Sequence, residues 1–172
     1  DDRKRARRAR LVDRLLGDAY LDEFPRNWTA VWTNLLIGRT GGATNNSLAS
    51  RDGMQRYFRA AVRYNKPYDE IATDLVTATG SCRPGDADFN GAANFLADKL
   101  ADGGVQATAK TAQIFLGMAV QCTQCHNHPF NEHKQNQFWE LNAFFRQTGL
   151  EVLPDGRNRQ VARVVDRDFA GQ

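Results

Sequence analysis

Residues 122–128 read Cys-Thr-Gln-Cys-His-Asn-His, and the interpretation of the whole chain turns on them. The first five have the spacing C-x-x-C-H. Two thiols three positions apart fall on one side of a helical turn. There they can add to the vinyl groups of two neighbouring pyrroles of one porphyrin. The next residue is then held beneath the ring, where an imidazole can bind iron. The pattern is the attachment signature of haem c. It makes Cys122 and Cys125 the thioether anchors and His126 the proximal axial ligand.

The same residues allow other uses. A C-x-x-C pair also suits a redox dithiol or half of a zinc site. Cys122, Cys125, His128 and His133 offer four N/S ligands within twelve residues. Against zinc, His126 would stand idle, and the ligand spacing is shorter than in common finger patterns. Against a dithiol, no βαβ context surrounds the pair.

Outward from this stretch the pattern is mainly helical. Amphipathic segments are expected over 2–20 and 27–37, the second carried by Trp28, Val31, Trp32, Leu35 and Leu36. Ser50 is placed to cap a third helix with Met54, Tyr57, Phe58, Ala61 and Val62 on one face. Pro67 opens a fourth, carried by Ile71, Leu75 and Val76. A loop at 80–90 holds the lone Cys82, a bystander or a free thiol. Helices follow at 92–100, stopped by Gly103-Gly104, at 106–120 with Met118 in the core, and at 135–147. Residues 151–156 followed by 161–165 suggest a short C-terminal β-hairpin. The fold class is thus a mainly α, helical bundle-like domain with a haem attachment loop. Its boundaries are 1–149 for the helical domain and 150–172 for an extension or hairpin leading onward in a longer chain.

A haem held by Cys122 and Cys125 needs walls and a sixth ligand. Phe138, Trp139, Phe144 and Phe145 on the last helix are natural walls. For the far side of the iron the candidates are His133, Met54 and His128. Two residues span at most about 7 Å, so His128 is close for passing round the porphyrin edge. Seven residues span about 24 Å, so His133 can reach. A Met ligand raises the potential, whereas an open position admits small molecules.

Composition bounds the remaining possibilities. The 172 residues make about one domain. Apolar residues at 41% and charged ones at 25% exclude a collagen-like chain and argue against wholesale disorder. Three cysteines are too few for a disulfide scaffold. Net charge is only +3, too small to imply a polyanion partner, and no nucleic-acid partner is expected. Arg3, Lys4, Arg5, Arg7, Arg8 and Arg10 crowd the start. With Leu11, Val12, Leu15, Leu16 and Ala19 behind them, they read as the outer face of a packed helix. The longest uncharged apolar stretches, 27–38 and 111–122, are too short and too polar for a membrane span. No Ser/His/Asp set, phosphate loop or carboxylate pair supports hydrolysis or phosphoryl transfer. The chain reads as a piece excised from a longer protein.

The stretches 108–117, 122–130 and 138–145, with 51–54, 65–69 and 77–80 upstream, resemble the planctomycete cytochrome-c-like domains of unknown function (PSCyt type). These occur in large exported bacterial proteins. The resemblance spans most of 11–147, and Cys-x-x-Cys-His-Asn-His-Pro-Phe is its specific core. The chain departs from the family pattern at His133, where an aromatic residue is more usual. The resemblance implies a periplasmic, haem-binding, largely helical domain and no particular reaction. Together, residues and resemblance lead to the expectation of one covalent haem c and electron transfer within a larger periplasmic protein or complex. The redox partner is unidentified. The alternatives are a structural zinc or interaction module and a five-coordinate haem enzyme or sensor.

Overall fold

The apolar periods of the sequence become seven α-helices and one small antiparallel sheet in the computed structural model, which describes residues 2–156 and 158–167. In chain order these are α1 (Asp2–Leu15), α2 (Glu23–Ile37), α3 (Arg51–Arg63), α4 (Tyr68–Thr77), β1 (Gly80–Ser81), α5 (Asn94–Lys99), α6 (Val105–Phe115), α7 (Gln135–Ala143), β2 (Thr148–Pro154) and β3 (Gln160–Asp166). Short 3-10 turns at Asp18–Tyr20, Gly91–Ala93, Ala101–Gly104 and Gln121–Gln124 join them.

The main core forms around α5. That helix has six residues, yet Asn94, Phe95, Leu96 and Ala97 are all buried. α2, α3, α4, α6 and β3 surround it. α3 starts as its sequence requires: Ser50 Oγ accepts from Gly53 N–H at 3.1 Å, satisfying a donor that the first turn leaves free. Met54, Phe58 and Ala61 then face inward. Trp32 of α2 stacks on Phe58 with centroids 5.7 Å apart and planes 1° from parallel.

Two glycines let α3 come close to α5. A Cβ on Gly53 would lie 2.7 Å from Asn94 Nδ2 and 2.7 Å from the Cys82 carbonyl. A Cβ on Gly91 would lie 2.6 Å from the Gly53 carbonyl. Across this crossing Asn94 accepts from Ser50 N–H and donates to Gly91 O, so its buried amide is paired on both sides.

The sheet has the order β1-β3-β2, all antiparallel, and the expected hairpin is its main part. β3 is tied into the helical body. Ala162 N–H donates to Leu48 O at 2.7 Å, and Cys82 N–H donates to Ala162 O at 2.9 Å. Val161, Ala162 and Val164 belong to the same core as Phe58 and Leu75. Arg163 binds Asp88, and Arg83 binds Asp86 and the Pro154 carbonyl, joining the 80–90 loop to the hairpin.

Several expectations change. The first helix stops at Leu15, and none of its residues is buried, so it is not the packed helix inferred from its Leu/Val stripe. Residues 2–10 carry no apolar side chain larger than Ala, so half the helix has nothing to bury. Ala19 belongs to the following turn, and its exposure lies outside what is described. α2 starts four residues early and turns Pro25, Thr29, Thr33, Leu36 and Ile37 inward. Trp28, Val31 and Leu35 stay 41–50% exposed. The small threonine face lets α2 lie close against α3, and Trp32 alone of the large rings packs there.

α6 ends at Phe115 and not near 120. Gly117 takes a φ of +68°, which stops the helix, and Met118 N–H returns to Ala112 O at 2.9 Å. Met118 therefore leaves the helix and is only half-buried. Cys82 lies beside β1 with its side chain fully buried.

The crossing yields a stability test. Gly53→Ala should lower unfolding free energy by roughly 1–3 kcal/mol through overpacking. Leu16→Ala, on a side chain 75% exposed, should change it by less than about 0.5 kcal/mol. Denaturant titration of the two variants checks both.

Candidate haem attachment site

The C-x-x-C-H turn rests on a second, smaller core made by Ala109 and Ala112 of α6, Val120, and Phe138 of α7. Thr123, between the two cysteines, fixes how the turn sits. It is 1% exposed, its hydroxyl donates to Val120 O at 2.6 Å, and its N–H donates to the same carbonyl at 2.9 Å. With Thr123 turned in, the face carrying Cys122 and Cys125 turns out. Cys122 is half-buried, and Cys125 and His126 are exposed. All three cysteines are free thiols.

The first turn of α7 grips this loop on both sides of Cys125-His126. Gln135 Nε2 donates to Gln124 O at 3.3 Å, and Trp139 Nε1 donates to the same carbonyl at 3.2 Å. Gln135 N–H donates to Asn127 Oδ1 at 3.0 Å. α7 is itself held to α6 through Asn142, which donates to Thr108 Oγ1 at 3.0 Å and Gly103 O at 3.1 Å.

His126 Nδ1 lies 2.7 Å from the Asn127 carbonyl. A carbonyl only accepts, so Nδ1 carries the proton. In the neutral ring Nε2 then keeps its lone pair, the tautomer that a metal-binding imidazole needs. His128 is engaged differently. Its Nδ1 accepts from Phe130 N–H at 3.1 Å, and its own N–H donates to His133 O at 2.9 Å. It closes the 128–133 loop as a turn histidine. His133 is half-buried and borders an apolar cavity of about 300 Å³ with Leu116, Met118, Phe138 and Leu141.

The remaining candidates are dispersed. Met54 is fully buried in the first core, whereas the motif rests on the second. Phe138 is 2% exposed inside the second core, with its edge to Trp139 at 5.4 Å. Phe145 belongs to the first core and Phe144 is 79% exposed, so these rings do not form one surface. Trp139 hydrogen-bonds the motif turn through Gln124 O. Among the described residues, no three His, Cys, Asp or Glu side chains gather as they would around an ion, so the Cys122, Cys125, His128, His133 quartet is not assembled.

The protein-family model PSCyt2, described as a protein of unknown function (DUF1549), matches residues 1–149. The chain belongs to this family. No curated protein and no solved structure matches it. The matched stretch ends within β2, so most of the hairpin tied into the first core lies beyond it. Among the described residues, no helix is long and apolar enough to cross a membrane.

Sequence reasoning singled out the two thiols and His126 but not Thr123, Gln124, Asn127 and Gln135, which brace their turn. An amide side chain at the start of the next helix was the one available signal.

Burial pushes the Cys82 thiol up to about 12. At neutral pH it stays protonated and enclosed, whereas the nucleophile in alkylation is the thiolate. Iodoacetamide on the native chain should therefore modify Cys122 and Cys125 and leave Cys82 intact until denaturant is added. Peptide mass mapping reads this directly.

Proposed function

We propose that this chain is a c-type cytochrome domain that carries one covalent haem and passes electrons within a larger exported protein. The observation that carries the reading is the His126–Asn127 hydrogen bond beside one exposed and one half-buried thiol. It leaves Nε2 of the imidazole free at the position where C-x-x-C-H chemistry needs a ligand.

The residues present fit the group. Cys122 and Cys125 would hold it by thioethers and His126 would bind the iron. Haem c would supply a one-electron couple at a potential set by its ligands and surroundings. The chain's own part is positioning. Thr123 keeps the thiols outward. Asn127 fixes the imidazole tautomer. Gln135 and Trp139 brace the turn through Gln124, which limits how far the ligand can drift. Leu116 at 57% and Phe130 at 92% exposure add apolar surface close in sequence to the turn.

A five-coordinate form has support from the same geometry. Met54 is sealed in the other core and His128 is committed to its own loop. His133 borders an apolar cavity near the motif.

Expression with cytochrome c maturation machinery tests the proposal. The wild-type chain should gain the mass of one haem and give a pyridine haemochrome spectrum. Cys122→Ala with Cys125→Ala should abolish both. A reduced spectrum that shifts with carbon monoxide would mark an open sixth position. Apoprotein after maturation, with stoichiometric zinc and unfolding on chelation, would overturn the reading in favour of a zinc module.

A further inference from the structure

The N-terminal end of the molecule has surface that the fold leaves uncovered. Ten of the seventeen exposed large apolar side chains among the described residues lie between Leu11 and Leu35. Leu11, Leu15 and Leu16 sit at the end of α1 at 45–75% exposure. Phe24, Trp28 and Leu35 line the outer side of α2 at 41–59%. Single exposed apolar residues are ordinary, but here ten fall within twenty-five consecutive positions.

The same stretch of chain opens with a concentrated positive charge, on the helix that carries Leu11, Val12 and Leu15. α1 carries Arg3, Lys4, Arg5, Arg7, Arg8, Arg10 and Arg14 against Asp2 and Asp13. Among the described residues none of these seven cations enters an ion pair. The helix buries nothing and makes its principal contacts with the turn that follows it. A helix of this length is marginal in water without a surface to lie on.

We propose that this end of the molecule docks on an anionic lipid bilayer, with the α1 guanidinium groups on headgroup phosphates and the Leu11–Leu35 side chains at the acyl boundary. Three features favour lipid over other polyanions and over protein. The cations spread around the helix instead of lining one edge, which suits a diffuse layer of negative charge. The apolar residues follow directly after them, and stable peripheral anchoring needs both signals together. Tyr20, Phe24 and Trp28 supply the aromatic side chains that favour the headgroup boundary. Nucleic acid would use the cations and leave the leucines and aromatics exposed. A symmetric pairing of two copies through α1 would bring fourteen cations together against only four carboxylates.

Vesicle flotation with the full 172-residue chain tests this. Mixed phosphatidylglycerol–phosphatidylcholine vesicles should carry the protein, and pure phosphatidylcholine vesicles should bind it at least about tenfold less. High salt should weaken the binding by a similar factor, and inorganic phosphate at matched ionic strength should compete no better than chloride. Arg7→Glu with Arg8→Glu should release it. Leu15→Asp with Leu16→Asp should too, with unchanged circular dichroism, since all four side chains are exposed. Equal binding to both vesicle types, or no binding to either, overturns the proposal. So does a dimer dissociated by the Leu15/Leu16 variant in a chain that ignores vesicles, which would assign the face to a second copy.

Discussion

The arrangement depends on one close crossing, where Gly53 of α3 meets Gly91 and Asn94 at the start of the buried α5. Neither glycine has room for a Cβ, and the Asn94 amide links Ser50 N–H to the Gly91 carbonyl. That amide lies in a low-dielectric interior, where an unpaired polar group costs more than its bond contributes. The crossing therefore fixes the distance between α3 and α5 and the depth of α5. With α5 at that depth, Phe95 and Leu96 share one core with Phe58 of α3 and Val161 and Val164 of β3, and Phe95 meets Phe115 edge-on.

From this core the constraint passes outward to the motif. α5 leads through the tight Ala101–Gly104 turn into α6, and Gly104 with a φ of +83° lets Phe145 and Asn142 come close. Asn142 ties α7 to α6, and α7 grips the C-x-x-C-H turn at Gln124 and Asn127. The thiols sit on a short irregular turn, yet Gln124 and Asn127 on either side of Cys125-His126 are both bonded to α7. A covalent cofactor needs such a site: outward enough for attachment, fixed enough to hold one ligand geometry.

The two ends of the molecule carry different chemistry. The motif end presents thiols and an imidazole of defined tautomer. The N-terminal end presents cations and apolar side chains that its own core does not use. The hairpin belongs to neither: it closes the main core and is clasped to the 80–90 loop through Arg83, Asp86, Asp88 and Arg163. Although largely beyond the family-matched stretch, it is structurally part of the domain, because Val161, Ala162 and Val164 have no other place to be buried.

Much of this was legible in the linear pattern. Helical period placed α2 to α7, and Ser50, Pro67 and Gly103-Gly104 marked their ends, because capping chemistry and backbone freedom are local properties. The candidate attachment residues stood out for the same reason: Cys122, Cys125 and His126 lie within one turn. Which face of α2 is buried was not legible, since Thr29 and Thr33 displaced Trp28 and Leu35 only where a close helix neighbour rewarded small side chains. Nor was the fate of Phe138, Phe145 and Met54, because an apolar side chain fits any core and only the packing assigns it to one. The sequence by itself determined that there are helices and a C-x-x-C-H turn. The tertiary structure decided which way that turn faces, which amides brace it, and which apolar face remains open, because these follow from distances between residues far apart in the chain.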